Sequence, residues 1–227
     1  RYYGVGNEYE GVTIASAVFA LAVLLNYKKI SKWLAVVLSL AILITSAMPS
    51  MGANVGGAIS ECVAYLLFIL LIFDVKLDLK KIIMIGVATV LIVVAFAGLD
   101  FLMGTESHLA VFTNQIIQEG PAAIFNTFGR KIQMNLKLAK SSVWVNILIV
   151  SIIIIGALIF KPSGYFKKIH DKYPMIFKGF MASFVGCIVT LLVNDSGIVA
   201  ASTAAIYILI PIIIIGINMI IFDKEID

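Results

Sequence analysis

Long runs of apolar residues, separated by short polar or basic segments, dominate the chain. A bilayer core of roughly 30 Å needs about 20 apolar residues per helix, and about 17 at the short end. Seven runs meet or approach this requirement, so the pattern predicts an all-α integral membrane protein whose residues 1–227 form one polytopic domain. The predicted transmembrane spans are 11–27, 33–49, 57–73, 82–99, 142–160, 179–193 and 197–222.

Composition agrees with this class and excludes others. Hydrophobic residues make up 61% of the chain, charged residues make up 13%, and the mean hydropathy is +1.06. Ordinary soluble domains are about 45–50% apolar and about 25% charged. The net charge of +4 does not indicate a nucleic-acid partner, because most lysines lie in short loops between spans. The chain begins with Arg1, and we expect it to be a processed product or the membrane part of a longer protein or larger complex.

The distribution of basic residues favours one orientation in the membrane. One alternating set of loops holds 12 of the 17 Lys and Arg residues, and the other set holds five. Because basic residues accumulate on the cytoplasmic side, the pattern predicts a plasma-membrane protein with its N-terminus outside and its C-terminus in the cytoplasm. The basic set comprises 27–32, 74–81, 161–178 and 223–227.

Three short polar motifs open helices on the predicted outer face, at 6–11, 52–57 and 193–197. Each combines an asparagine with a glycine within two to four residues. Asn and Ser cap helix starts, and a helix N-terminus presents free N–H groups and partial positive charge. If the three starts converge, they form a site for an anionic or strongly polar group. Ordinary capping of three separate helices is the alternative.

Four carboxylates lie near these helix starts. Glu61 is about one turn inside the third predicted span, where an ionised side chain is costly unless it is paired, hydrated or protonated. Asp195 occupies the shortest outer loop. Glu8 and Glu10 flank Tyr9 just ahead of the first span, where electrostatic capping of the helix is the simpler interpretation.

Residues 100–141 are too apolar for a simple linker and predict a helical loop on the outer face. From Arg130 to Lys140 the pattern predicts an amphipathic helix lying at the interface, which the sequence allows to continue into the fifth span. Its basic side includes Arg130 and Lys137. That side suits anionic headgroups of membrane lipids or a phosphate-bearing substrate, and a merely solvated face is the alternative.

The candidate residues favour a transporter or flippase that binds an anionic or polar substrate, free or lipid-linked, at an outward-facing site. One alternative is an outer-face enzyme acting on lipid-linked phosphate or glycan, and another is a non-catalytic anchor or assembly domain. The sequence leaves open whether the chain is an enzyme, and it predicts no metal or cofactor site. The candidate substrate-binding residues are Asn7, Glu8, Asn54, Glu61, Asn194, Asp195, Ser196, Arg130 and Lys137.

Overall fold

The computed structural model describes residues 4–48, 50–103, 118, 120, 122–161 and 165–222, and all regular structure in these ranges is helical. Nine helices follow one another in this part of the chain. They are α1 (Asn7–Asn26), α2 (Lys32–Ala47), α3 (Val55–Ile72), α4 (Leu79–Met103), α5 (Ala122–Ser141), α6 (Trp144–Phe160), α7 (Tyr165–Lys172), α8 (Pro174–Val193) and α9 (Gly197–Phe222).

Local chemistry accounts for several helix starts. The Ser31 hydroxyl accepts a hydrogen bond from the third residue of α2, and Pro174 occupies the first position of α8. The first helix begins at Asn7, four residues before the start that the apolar run predicts. The interpretation of Glu8 and Glu10 as residues ahead of the helix is therefore wrong, because both lie inside its first turns.

The centre of the bundle consists of α1, α3, α8 and α9. Helix α1 packs against α8 and α9, while α3 packs against α8 and carries α2 and α4 on its outer side. At the crossing of α1 and α9 the backbones touch closely. A Cβ atom on Gly11 would lie 2.1 Å from the carbonyl oxygen of Ala200 and 2.2 Å from Thr203 Oγ1. Only glycine fits this crossing without moving one of the two helices.

Two apolar clusters fill the interior on either side of this centre. One joins α1, α2 and α3 around Phe68 and Ile72, both of them fully buried. The other joins α6, α8 and α9 around Ile155 and Ile208. The outer surfaces of α2, α4, α6 and α9 also expose large aliphatic side chains, as a soluble protein rarely does over so wide an area. The fold is that of a membrane protein.

Fewer helices qualify as spans than the sequence predicts. Four are long and apolar enough to cross a membrane, and the pair Phe125–Ser141 and Trp144–Phe160 makes a fifth if it is one broken span. Helices α2 and α3 are apolar but short. The structure therefore supports four or five candidate spans rather than seven. The four are Asn7–Asn26, Leu79–Leu99, Pro174–Val193 and Gly197–Phe222.

The bundle has two chemically different ends. At the asparagine end, which we define by Asn54 and Asn194, the α2–α3 and α8–α9 turns and the start of α1 meet. At the lysine end, defined by Lys32 and Lys178, these side chains contact Asp74 in the α3–α4 connection. The asparagine turns and the lysines lie at opposite ends because successive helices of the bundle run in opposite directions.

The structure describes only part of the long loop at 100–141. Residues 104–117 lie outside the described residues, and α5 covers the region predicted to be amphipathic. Helix α5 meets α6 at a bend of 100°. The amphipathic segment and the next apolar helix are therefore two helices with a sharp bend between them, and together they make at most one broken span.

Candidate functional site

A fully buried carboxylate, Glu10, lies where the polar turns of the asparagine end meet. Asn54 donates from Nδ2 to Glu10 Oε2 at 3.2 Å, and Asn194 Nδ2 donates to the same oxygen. The other oxygen, Oε1, accepts a hydrogen bond from the Thr190 hydroxyl. Both carboxylate oxygens are thus satisfied by uncharged donors, as an ionised side chain in an apolar interior requires.

The α2–α3 turn supplies the first of these donors. Its backbone folds back on α2, because Gly52 N donates to Thr45 O at 2.9 Å and Asn54 N donates to Ser46 O at 3.3 Å. The segment before α1 is fixed to the same turn. Val5 N donates to Gly52 O at 2.7 Å, and Asn54 Nδ2 also donates to Val5 O at 3.2 Å. Asn54 therefore joins two chain segments and the buried carboxylate.

The α8–α9 turn supplies the second amide. Asn194 Oδ1 accepts a hydrogen bond from Ser196 N at 3.3 Å, while its Nδ2 donates to Glu10. Helix α9 also contacts the start of α1, since Thr203 Oγ1 donates to the carbonyl oxygen of Glu8 at 3.1 Å. The three helix starts singled out in the sequence therefore converge, and a carboxylate of the chain itself lies at their meeting point.

Close packing holds this network together. A Cβ atom on Gly57 would lie 2.9 Å from Asn54 Cγ and 3.1 Å from Glu10 Cγ. Asn54 Oδ1 accepts a hydrogen bond from Gly57 N at 2.9 Å and so caps α3. The absence of a side chain at Gly57 lets α1 and the start of α3 approach to this distance.

Hydroxyl groups extend the network from α8 to α3. Thr190 Oγ1 lies 2.8 Å from Ser60 Oγ, and both side chains are fully buried. The Ser60 hydroxyl also donates to the carbonyl oxygen of Gly56 at 3.1 Å, within its own helix. Glu10, Thr190 and Ser60 thus form a continuous hydrogen-bonded path across three helices.

A second fully buried carboxylate, Glu61, follows Ser60 in α3. Neither of its oxygens has a hydrogen-bond partner among the described residues, and the same holds for the phenol of Tyr65, which is 2% exposed. The Ser46 hydroxyl and the Glu10 carboxylate are the polar groups that act on Glu61 from other helices. The two buried acids therefore differ in kind: Glu10 accepts hydrogen bonds on both oxygens, whereas Glu61 has the Ser46 hydroxyl nearby but accepts no hydrogen bond of normal geometry from the described residues.

Helix α5 closes over the α8–α9 turn at the same end. Lys131 Nζ donates to the carbonyl oxygen of Val193 at 2.7 Å and lies 3.4 Å from Asp195 Oδ1. One turn later, Asn135 Nδ2 donates to Asn194 O at 2.9 Å, and its Oδ1 accepts from Ile198 N at 3.1 Å. Helix α5 thus satisfies the free carbonyl groups at the end of α8 and a free N–H group at the start of α9.

The residues predicted from the sequence divide into two groups. Asn54, Asn194 and Ser196 belong to the hydrogen-bonded surroundings of Glu10, Glu61 lies beside them, and Asp195 belongs to the contact with α5. The remaining four form no side-chain hydrogen bond to this network among the described residues, and all except the half-buried Asn7 are exposed. They are Asn7, Glu8, Arg130 and Lys137.

Five residues of the site were not among the candidates: Glu10, Ser60, Thr190, Lys131 and Asn135. A signal existed for Glu10, which extends the buried stripe of α1 by one helical step from Ile14 and Val18. Thr190 likewise follows the buried positions Gly186 and Cys187 on α8. No comparable signal marks Lys131 or Asn135, since their role depends on how α5 lies across another pair of helices.

The site does not have the composition of a metal centre. Among the described residues, no group of three or more His, Cys, Asp and Glu side chains is placed to hold a metal ion. The two cysteines, Cys62 and Cys187, are buried and free.

At the lysine end, an exposed carboxylate has cationic partners. Lys178 Nζ donates to Asp74 Oδ1 at 2.5 Å, and Lys32 Nζ lies 3.5 Å from Asp74 Oδ2. The hydrogen bond from Lys178, followed by the charge of that residue and of Lys32, lowers the pKa of Asp74 below its ordinary value.

Comparisons of the chain with protein-family models, with curated proteins and with solved structures gave no significant match. Any function assigned to the chain therefore rests on the chemistry of its own residues.

Proposed function

We propose that the chain is a translocating membrane protein, a transporter or flippase-type domain, whose site is the buried polar network around Glu10. The observation that supports this most is the convergence of two interhelical turns and the start of α1 on one fully buried carboxylate. Secondary transporters commonly place helix ends at their substrate and ion sites. A carboxylate inside a membrane domain is a functional candidate because it is costly to keep there.

The position of Glu10 changes the substrate chemistry that we infer. Free N–H groups at helix starts attract an anion, but the carboxylate of Glu10 already occupies the meeting point of these starts. We therefore favour a polar or cationic group, on a free solute or on a lipid-linked headgroup, over a free anion.

We also propose that all seven apolar helices cross the plasma membrane, with the asparagine end outside and the lysine end in the cytoplasm. The concentration of lysines in the connections at one end supports this orientation. Helix α2, with 16 residues, spans only where the bilayer is locally thin. Helix α5 exposes Phe125, Ile132 and Leu136 beside Arg130 and Lys137, which suits a helix lying among lipid headgroups.

Translocation requires that the buried network become accessible to water, and this can be tested without knowing the substrate. Ser60 is fully buried beside Thr190, so a cysteine placed there reports opening of the site. We propose to reconstitute Ser60→Cys, with Cys62 and Cys187 replaced by alanine, in phosphatidylethanolamine and phosphatidylglycerol vesicles. Labelling by a membrane-impermeant maleimide is then measured with the reagent outside the vesicles, and again with the reagent trapped inside.

Ser151→Cys is the matched control, because Ser151 is equally buried but lies on α6, away from the network. If the chain is a transporter or flippase, the maleimide should label Ser60→Cys from both sides of the membrane and should leave Ser151→Cys unlabelled. Complete protection of Ser60→Cys from both sides would refute translocation and leave the anchor or assembly domain. Labelling from the outer side alone would instead favour the outer-face enzyme.

A further inference from the structure

The unpartnered carboxylate of Glu61 is not explained by the network around Glu10. Glu61 is 0% exposed, and neither oxygen has a hydrogen-bond partner among the described residues. The phenol of Tyr65, one helical turn further along the same face of α3, is also buried without a partner. Native interiors rarely leave such groups unsatisfied, so each one calls for a physical reason.

Among the described residues, no positively charged group acts on Glu61. The groups that act on it are the Glu10 carboxylate on α1, the Ser46 hydroxyl on α2, and Cys62 and Tyr65 on its own helix. On α8, the Thr190 hydroxyl donates its proton to Glu10. An ionised Glu61 would be a second negative charge beside a first one that already has all its donors. A proton or a cation must therefore neutralise it.

The available oxygens and the packing favour a proton over a metal ion. A hard cation such as Ca²⁺ takes six to eight oxygen ligands, and Mg²⁺ requires an octahedral set. Glu61 and Tyr65 provide three unpartnered oxygen atoms. The neighbouring helices are also in close contact, since a Cβ atom on Gly57 or on Gly186 would lie within 3.0 Å of another atom. A proton needs neither additional ligands nor space.

We propose that Glu61, with the phenol of Tyr65 beside it, is a proton-binding site in the bundle interior that couples proton release to opening of the Glu10 network and proton uptake to its closure. The proposal rests on the translocation function above. Uptake forms an O–H bond between a proton from water and one Glu61 oxygen, and release returns that proton to water. Without the proton, Glu61 and Glu10 repel each other across the α1–α3 contact at Gly57, which opens the site on its α3 side.

The proton itself is measured by infrared difference spectroscopy of the purified chain, between acidic and alkaline buffer. We expect a carbonyl band of a buried protonated carboxyl group in the wild type. The band should disappear in Glu61→Gln and persist in Glu10→Gln and in Glu8→Gln, the exposed control on α1. If Glu61→Gln does not fold, Tyr65→Phe serves instead, because loss of the neighbouring phenol should shift the frequency of the band. Absence of the band in the wild type, or its persistence in Glu61→Gln, overturns the proton site.

Coupling is tested separately with the Ser60→Cys protein. Because the thiolate is the reacting form, labelling is expressed relative to that of the denatured protein at the same pH. We expect this ratio to increase at least several-fold as pH rises, and Glu61→Gln to remove the dependence while Glu8→Gln retains it. Labelling that is unaffected by pH in an otherwise wild-type background overturns the coupling, whatever the infrared result. Complete protection at every pH overturns the proposed translocation, and the infrared band alone then decides the proton site.

Discussion

Glu10 and Glu61 are the same residue type, both fully buried, and they lie close together in one bundle, yet their surroundings are opposite. Glu10 accepts hydrogen bonds from Asn54, Asn194 and Thr190, while Glu61 accepts none from the described residues. The difference comes from the ends of helices. Glu10 faces two turns at helix ends, whose side chains supply hydrogen-bond donors. Glu61 faces the sides of helices, where the backbone N–H groups already donate within the helix.

The contrast shows that burial alone does not determine the role of an acid. A carboxylate that several donors hold is a fixed charge, and removing it leaves those donors unsatisfied. A carboxylate without donors can gain or lose a proton with only a small structural change, so its charge is variable. The same substitution should therefore have opposite consequences at the two positions.

Replacement of each acid by glutamine is expected to give the largest difference. At Glu10, glutamine turns one acceptor into an NH₂ group that faces an existing donor, and we expect a loss of about 3 kcal/mol or more. At Glu61, glutamine replaces a neutral carboxyl group that has no hydrogen-bond partner among the described residues, so stability should be unchanged or higher. Melting temperatures of both variants in one detergent measure this. Equal losses in the two variants would show that the donors do not cause the difference.

Substitution of one neighbour of each acid should give a smaller contrast of the same sign. Thr190→Val removes the hydroxyl donor to Glu10, and hydrogen bonds to charged groups contribute about 1.5–3 kcal/mol. Tyr65→Phe removes a hydroxyl that has no partner among the described residues, so we expect no loss. Thermal unfolding of the two variants provides the comparison, and a destabilised Tyr65→Phe would indicate that the phenol has a partner after all.

The support that α5 gives to the donor turn should have a weaker effect. Asn135→Ala removes an acceptor for Ile198 N and a donor to Asn194 O, and loss of such a cap costs about 1 kcal/mol. Gln133→Ala, at an exposed position of the same helix, is the control. Denaturation curves should separate the two variants. If they coincide, the contacts of Asn135 do not stabilise the turn that carries Asn194.

Asp74, the exposed acid at the lysine end, is the solvated counterpart of the two buried acids. Its substitution should have the smallest effect on stability. Lys178 and Lys32 lower the pKa of Asp74. Their contacts with the ionised Asp74 therefore stabilise the fold at pH values above 3.8, the ordinary pKa, and this contribution is lost as pH falls through the lowered pKa. Asp74→Asn should therefore melt slightly below the wild type near neutral pH, and the two curves should converge in acid. High salt should also reduce the difference. A difference that grows in acid would contradict this sign.

The apolar runs predicted most of the helices, because membrane helices are selected for continuous hydrophobicity. The bounds of α9 agree with the predicted range 197–222. The start of α1 was missed because its first turns carry two acids, which in a run-based analysis mark the end of a span. Four or five helices of the described residues qualify as spans against seven predicted runs, because an apolar run of 16 to 18 residues fits both a short buried helix and a membrane span.

The site was predictable where its residues lie at helix starts. The shared Asn and Gly pattern identified Asn54 and Asn194, and the cost of an intramembrane charge identified Glu61. Glu10 was interpreted as a cap, because its place on the buried stripe becomes clear only once the helix is known to begin at Asn7. Lys131 and Asn135 act on a turn about 60 residues away. No periodicity within one helix reports a contact of that kind.

The crossing of α1 and α9 at Gly11 has a mechanical consequence. Where the two backbones touch, no side chain can change rotamer to let one helix slide or rotate against the other. We therefore expect α1 and α9 to move together as one rigid unit. Glu10 lies within this unit, on α1, and Glu61 lies outside it, on α3. Any shift of α3 against the unit therefore changes the distance between the two acids.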